Sequence, residues 1–247
     1  MDYEIELQPG RDQTQESLVV RHPDGTTDRF RLHEYDRVYA VPGLYEEVVQ
    51  ERLQSASATI LAERLIASAA DAGVASGDLA VFDLGAGNGV SGEELRARGV
   101  GTLVASDASS AARDAAKRDR PGLYADYLVG DTDDLPQTGA LVREHGLNAL
   151  VCAGALGLGH ISADSFHRLW CAFPAGSWFS VSLHEDLAEP GGSDFGDYLA
   201  GFEARGDGGE ILVRERFRHR LTMAGEPITY VAVVARKPAH VDVTDRS

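Results

Sequence analysis

A glycine-rich turn about a third of the way along the chain constrains the fold more than any other stretch. The apolar run 79–82 predicts a short buried strand, and Asp83 stands at its end. Glycines follow at positions 85, 87 and 89, before a segment that predicts a helix. Such a turn lets a ligand approach the backbone without a Cβ in the way, and it aims free helix N–H groups at that ligand. We expect Ser91 and Glu94 to form a capping box that opens the helix.

Strand and helix patterns alternate through the rest of the chain. Further strands are predicted at 102–105, 124–129, 149–153 and 178–183, and helices at 56–72, 109–119, 137–145 and 162–173. Five such alternations predict a parallel sheet with helices on both faces. Residues 211–220 and 228–236 then alternate like two paired strands. We therefore expect an α/β fold of the Rossmann-like, doubly wound kind. Its mostly parallel seven-stranded sheet would end in an antiparallel C-terminal hairpin.

The beginning of the chain has a different pattern. Two β-like runs at 17–21 and 28–32 flank a Pro-Asp-Gly turn and predict a hairpin. Tyrosines at 35, 39 and 45 follow, with a Pro-Gly break among them, and then a short helix at 46–53. We interpret residues 1–55 as a small N-terminal appendage whose tyrosines form a lid, 56–236 as the main domain and 237–247 as a loose tail. Ordinary packing of the tyrosines on the rim of the sheet is the alternative.

The charge and the cysteines limit the class of partner. A net charge of −16 and a pI near 4.8 argue against nucleic-acid binding and against an anionic membrane surface. The acidic start has no apolar signal region and no run reaches the length of a membrane span, so we expect a cytoplasmic protein. Cys152 and Cys171 lie in apolar stretches. This placement predicts that both thiols are buried and reduced. No cysteine–histidine spacing is typical of a zinc site, so no metal is expected.

Polar residues stand where the predicted strands end, which is where open parallel sheets bind ligands. Asp107 ends the second core strand, 22 residues after Gly85, and its two acceptor oxygens suit the two neighbouring hydroxyls of a ribose. Asp131 ends the third strand, and a glycine-rich run leading to His160 follows the fourth. Taken singly, Asp107 could also be a helix N-cap and Asp131 a turn residue. Their occurrence in order after the glycine turn favours a binding site.

The run Asp83-Leu84-Gly85-Ala86-Gly87-Asn88-Gly89 resembles motif I of the class I S-adenosylmethionine-dependent methyltransferases. The dinucleotide fingerprint G-x-G-x-x-G is not matched because position 90 is Val, so a nicotinamide dehydrogenase is a weaker alternative. The closing antiparallel hairpin also resembles the end of the sheet in that family. The resemblance covers about residues 56–236. Two positions depart from the family's pattern, Asn148 at the head of the fourth strand and Ala175 in the turn before the fifth.

The resemblance implies S-adenosylmethionine as the cofactor. Gly85 and Gly87 would pass beside its methionine part, and Asp83 would orient the turn or receive the ammonium group. By the same resemblance Asp107 would hold the ribose and Asp131 would accept from the adenine amino group. Ala86, Ala108, Thr132 and Tyr39 complete the set of cofactor-binding residues that we expect.

The motifs do not specify the methyl acceptor. Methyl transfer depends mainly on in-line placement, although an oxygen or nitrogen acceptor can need a base. His160 after the fourth strand and His184 after the fifth are the candidate bases, and a hydrogen-bonded loop histidine is the alternative for each. We expect a small-molecule acceptor and leave the oligomeric state open. Cofactor binding without transfer, as a subunit or sensor, is the second hypothesis, and methylation of a protein is a less favoured third.

Overall fold

The computed structural model describes residues 3–10, 13–131, 135–157, 161–204 and 209–238. The strands in these ranges are β1 Glu4–Gln8, β2 Ser17–Arg21, β3 Thr27–Arg31, β4 Ala80–Leu84, β5 Thr102–Asp107, β6 Asp126–Val129, β7 Ala149–Cys152, β8 Trp178–His184, β9 Glu210–Leu221 and β10 Pro227–Arg236. The α-helices are α1 Tyr35–Ala40, α2 Ser57–Asp71, α3 Val90–Ala97, α4 Ser110–Asp119, α5 Leu135–Glu144, α6 Ala163–Cys171, α7 Glu185–Ala188 and α8 Asp194–Ala200. A π-helical segment, Glu46–Arg52, precedes α2.

The main sheet has seven strands in the order β6-β5-β4-β7-β8-β10-β9. The strands from β4 to β8 run parallel, whereas β10 is antiparallel to both of its neighbours, β8 and β9. This topology confirms the predicted α/β fold with its antiparallel hairpin. Because β9 therefore runs in the same direction as the parallel strands, its carboxyl end reaches the same edge of the sheet as theirs.

Two hydrophobic clusters cover the two faces of this sheet. Leu61 and Leu65 of α2 pack with Leu95 of α3 on one face. Phe166 and Trp170 of α6 belong to the cluster on the other face, together with residues of α8. Strands buried on both faces explain the continuous apolar runs that make the parallel strands recognisable in the sequence.

Strands β1, β2 and β3 form a separate small sheet, and the described residues up to Leu53 have their own hydrophobic cluster. This appendage contacts the main domain through a backbone hydrogen bond in which the Leu221 N–H donates to the Leu53 carbonyl at 2.7 Å; beside it, the Ala56 N–H at the start of the main domain donates to the His219 carbonyl at 2.8 Å. The appendage is thereby joined to the carboxyl end of β9.

The structure corrects two local predictions and adds one strand. The capping box is wrong: α3 begins at Val90 after Gly89, whose φ of +96° needs a glycine, and Ser91 lies within the helix. Cys152 is buried as expected, but Cys171 is exposed because it lies on the outer side of α6. Strand β1 was not predicted. Thr132, His160 and the tail from 239 onward lie outside the described residues. No described helix is long and apolar enough to cross a membrane.

Candidate functional site

The glycine turn lies at the carboxyl end of β4, in the centre of the main sheet. Gly85 and Gly87 have φ angles of +69° and +56°, in the left-handed region that favours glycine. A Cβ at Gly85 would stand 2.6 Å from the Ala155 Cβ, and one at Gly87 would collide with the Tyr39 hydroxyl. Both positions therefore need glycine for backbone angle and for space.

Asp107 joins the end of β5 to this turn. Its Oδ2 accepts a hydrogen bond from the Gly87 N–H at 2.9 Å, and its Oδ1 accepts from the Ser109 N–H at 2.9 Å. The side chain is half-buried. Each carboxylate oxygen can accept more than one hydrogen bond, and a carboxylate is the acceptor that suits two neighbouring hydroxyls of a ligand.

Asp83 supports the turn from the protein interior. The side chain is buried and accepts a hydrogen bond from the Tyr124 hydroxyl at 2.6 Å, while Oδ1 has no hydrogen-bond partner among the described residues. Burial is the main cause that raises the pKa of Asp83 to about 7; the hydrogen bond from the Tyr124 hydroxyl opposes the shift and the charge of Asp107 adds to it. Its placement fits orientation of the turn better than direct contact with a ligand.

A cavity opens beside the turn and extends toward the C-terminal hairpin. Its walls come from the appendage, the glycine turn, the segment after β7, the start of α2 and the ends of β9 and β10. The lining residues used below are Tyr35, Tyr39, Tyr45, Gly85, Gly87, Ser57, Gly154, His219, Arg220 and Tyr230. The site thus combines the predicted turn with a wall that the sequence analysis did not predict.

The three tyrosines of the appendage form one group of contacting rings in the wall of this cavity. The ring centroids of Tyr35 and Tyr39 are 6.0 Å apart, and those of Tyr39 and Tyr45 are 5.1 Å apart. Burial raises the pKa of the Tyr45 phenol to about 12, and burial also raises the pKa of Tyr35 and of Tyr39. All three phenols are therefore protonated at neutral pH and can donate hydrogen bonds.

Glu46 connects the appendage to the glycine turn. Its Oε1 accepts hydrogen bonds from the Asn88 side chain and, at 2.8 Å, from Arg120 Nη1. Arg120 also donates to the Asn88 carbonyl at 3.1 Å and to Glu93 at 2.8 Å. The position of the appendage and the conformation of the turn are therefore linked through one carboxylate.

His219 is the cavity residue that the sequence analysis missed. Its Nδ1 lies 2.7 Å from Ser57 Oγ, and its ring stacks on Tyr230 with centroids 4.1 Å apart. Burial lowers the pKa of His219 to about 3, and the neighbouring charges of Arg220 and His184 lower it as well. The ring is therefore neutral. The direction of β9 could have indicated this residue, since it places His219 at the same edge as the glycine turn.

Arg220 is the one charged side chain among the described residues that line the cavity. It is buried, and its Nη2 donates to Glu16 Oε2 at 2.8 Å. Glu16 lies in the appendage just before β2 and also accepts from the Met223 N–H at 2.5 Å. The positive charge of Arg220 is therefore neutralised by the carboxylate of Glu16, which is not among the described residues that line the cavity.

The remaining predicted residues lie around the site. His184 caps α7, where its Nδ1 accepts from the Asp186 N–H at 3.3 Å, and it is not among the lining residues. Ala86 is buried in the turn and lines the cavity, whereas Ala108 and Asp131 are exposed just after β5 and β6 and do not line it. The structure does not describe Thr132 or His160. The roles of these residues stay predictions.

Solved structures of methyltransferases share this architecture. The Burkholderia thailandensis 1,6-didemethyltoxoflavin-N1-methyltransferase, with bound 1,6-didemethyltoxoflavin and S-adenosylhomocysteine, aligns over 94% of this chain and 99% of its own; the identity is 15% and the TM-score 0.53. A chain of the complex that contains the Haloferax volcanii Trm112 methyltransferase activator aligns over 84% and 98%, with 16% identity and a TM-score of 0.55. A S-adenosylmethionine-dependent methyltransferase from Anabaena variabilis aligns over 85% and 96%, with 12% identity and a TM-score of 0.50. No protein-family model and no curated protein sequence matches the chain. At these identities the likeness concerns the fold.

Proposed function

We propose that this chain, which has the class I methyltransferase fold, binds S-adenosylmethionine and transfers its methyl group to a small-molecule acceptor. One observation carries the proposal. The glycine turn after β4 lines a cavity at the edge of the sheet, and its Gly87 N–H is hydrogen-bonded to the Asp107 carboxylate that ends β5. Open parallel sheets bind their ligands at this edge.

The residues at the turn fit the cofactor. The two carboxylate oxygens of Asp107 suit the two neighbouring hydroxyls of a ribose, and the left-handed glycines would bring the backbone close to the methionine part. The Tyr39 hydroxyl lies against Gly87, so it stands where a ligand crossing the turn would meet it. Asp131, exposed after β6, would be the acceptor for the adenine amino group. When bound, the cofactor supplies an electrophilic methyl group on a positively charged sulfur.

The rest of the cavity would hold the acceptor. Gly154 and Ala155 after β7 form its floor, with His219 and Tyr230 from the hairpin beside them. The tyrosines of the appendage line it as well, and as a lid they would favour a small molecule over a folded macromolecule and exclude water from the reacting atoms. The chain's own contribution to the rate is then mainly orientation of the acceptor toward the methyl group. His160 and His184 remain the candidate bases for an acceptor that has to lose a proton.

Calorimetric titration with S-adenosylhomocysteine tests the cofactor part of the proposal. The folded wild-type protein should bind this product, and Asp107→Asn should weaken binding about tenfold to a hundredfold through lost hydrogen bonds to a charged group. Asp114→Asn, the same change on the exposed side of α4, is the matched control and should leave affinity unchanged. Failure of the wild-type protein to bind S-adenosylhomocysteine would refute the proposal.

Transfer itself is tested by supplying S-adenosylmethionine and a library of small hydroxylated and amino compounds, and by measuring release of S-adenosylhomocysteine. Acceptor-dependent release supports a methyltransferase. Tight cofactor binding with no release for any compound would favour the alternative of a subunit or sensor that binds the cofactor without transfer.

A further inference from the structure

We propose that the acceptor of this site is an oxyanion, such as a phenolate or a carboxylate, and that the Nε2–H group of His219 binds its oxygen. The inference rests on the proposed function, because it concerns the half of the cavity that the cofactor would leave free. It names a specificity-determining residue and a class of substrate.

The hydrogen bond to Ser57 determines which nitrogen of His219 carries the proton. Ser57 is buried, and the described residues offer its hydroxyl no other partner than His219 Nδ1, 2.7 Å away. A buried hydroxyl hydrogen needs an acceptor, and Nδ1 is the acceptor that the described residues offer, so we assign the Ser57 hydroxyl as the donor to Nδ1. The ring is neutral because burial holds its pKa far below the usual range. The one remaining proton therefore lies on Nε2, which makes that atom a donor.

The surroundings direct this donor toward the cavity. Stacking on Tyr230, with an angle of 25° between the planes, fixes the plane of the ring. The Cε1 edge, next to Nε2, faces Gly154: a Cβ built there would lie 3.8 Å from Cε1. Gly154 and His219 both line the cavity, so this edge of the ring lies at the cavity wall.

The charge of the cavity walls selects the kind of ligand. No Asp, Glu or Lys occurs among the described lining residues, although the chain carries 39 acids. A cationic amine would therefore be desolvated without a counter-charge, which is costly. An oxyanion would instead meet the Nε2–H and, with the cofactor bound, its positively charged sulfur. An anion also needs no base to become nucleophilic, and no carboxylate occurs among the described residues that line the cavity.

Nitrogen-15 NMR of the histidine rings tests the proton assignment without any ligand. At pH 7 His219 should be neutral and carry its proton on Nε2. Ser57→Ala should shift the ring population toward the Nδ1–H form, because the donor that fixes Nδ1 as acceptor is gone. A wild-type His219 that is doubly protonated, or that carries its proton on Nδ1, would overturn the inference.

Binding to the protein saturated with S-adenosylhomocysteine tests the substrate class. The probes are matched pairs that share an aromatic ring: 4-nitrophenolate with benzylammonium, and 2-naphthoate with 2-naphthylmethylammonium. The oxyanions should bind and perturb the His219 Nε2 signal, and the ammonium compounds should not. Equal or tighter binding of the ammonium compounds, or no binding of either oxyanion, would reject the proposal.

The variant His219→Phe keeps a ring that can stack on Tyr230 but removes the donor. It should weaken oxyanion binding about tenfold to a hundredfold while S-adenosylhomocysteine binds as before. His22→Phe, at a partly buried histidine of the β2–β3 turn, is the control and should change neither. If the wild-type protein does not bind S-adenosylhomocysteine, the proposed function is refuted. If it binds S-adenosylhomocysteine but does not distinguish the oxyanions from the ammonium compounds, this inference alone is refuted.

Discussion

The buried ion pair between Glu16 and Arg220 yields the sharpest stability prediction. The side chains are 2% and 5% exposed, and the Arg220 Nη2 to Glu16 Oε2 distance is 2.8 Å. Glu16 uses its other oxygen to accept from the Met223 N–H. The variant Glu16→Gln keeps the size of the side chain but leaves it one oxygen for two donors, and it leaves the guanidinium charge without a counter-charge.

The expected loss follows from this burial. Removing one partner of a fully buried pair costs about 3–5 kcal/mol, because the remaining charge stays desolvated. For a chain of this size that corresponds to a fall in melting temperature of about 6–20 °C. Replacing both partners with apolar residues of similar size, Glu16→Leu with Arg220→Met, should recover most of the loss, since neither charge is then buried alone.

Thermal unfolding followed by circular dichroism measures this effect. The matched control is Glu6→Gln, which makes the same chemical change in an ion pair of the same small sheet, with Arg21 at 3.0 Å. Its side chains are 53% and 56% exposed. The control should not shift the melting temperature measurably. If Glu16→Gln and the control shift it equally, or if the double variant is no more stable than Glu16→Gln, burial of the charge is not the cause.

Three further predictions concern the turn and its supports. Gly87→Val should abolish S-adenosylhomocysteine binding in a folded protein, because its φ of +56° and the Tyr39 hydroxyl exclude a branched side chain; unchanged affinity in calorimetry would contradict this. Asp83 has a pKa of about 7 in the folded state against an ordinary 3.8. At a pH between these two pKa values, the folded state therefore binds more protons than the unfolded state. The free energy of unfolding should therefore fall as pH rises from 4 to 7, by up to about 4 kcal/mol, and urea titrations of Asp83→Asn should lack this dependence. Glu46→Ala should weaken S-adenosylhomocysteine binding about tenfold by releasing the turn, whereas the exposed control Glu51→Ala should bind like the wild type.

Sequence patterns predicted the main sheet well because its strands are buried on both faces and read as apolar runs. The antiparallel hairpin of β9 and β10 was predicted from alternation alone and is present. The start of α3 was predicted wrongly, because the choice between a serine cap and Gly89 depends on the backbone angle that the preceding turn imposes. Cys171 was predicted wrongly as well, since a short apolar stretch does not show which side of a helix faces solvent.

Part of the candidate site could likewise be predicted from the sequence, and part of it could not. The glycine turn and Asp107 are local to strand ends, so spacing along the chain was enough to propose them. His219 acquires its proton arrangement from Ser57 and its ring plane from Tyr230, both distant in the chain or on another strand. Such features arise only when the appendage, α2 and the hairpin pack together, and no short sequence pattern encodes them.

The backbone bond from the Leu221 N–H to the Leu53 carbonyl has a consequence for synthesis of the protein on the ribosome. Leu221 follows Leu53 by 168 residues (221 − 53), and at about 5–20 residues per second their translation takes on the order of ten seconds or more. Throughout that interval the nascent appendage can form its three-stranded sheet but has neither β9 to dock on nor Arg220 to neutralise Glu16. The walls of the cavity are therefore completed last, when the C-terminal hairpin has left the exit tunnel.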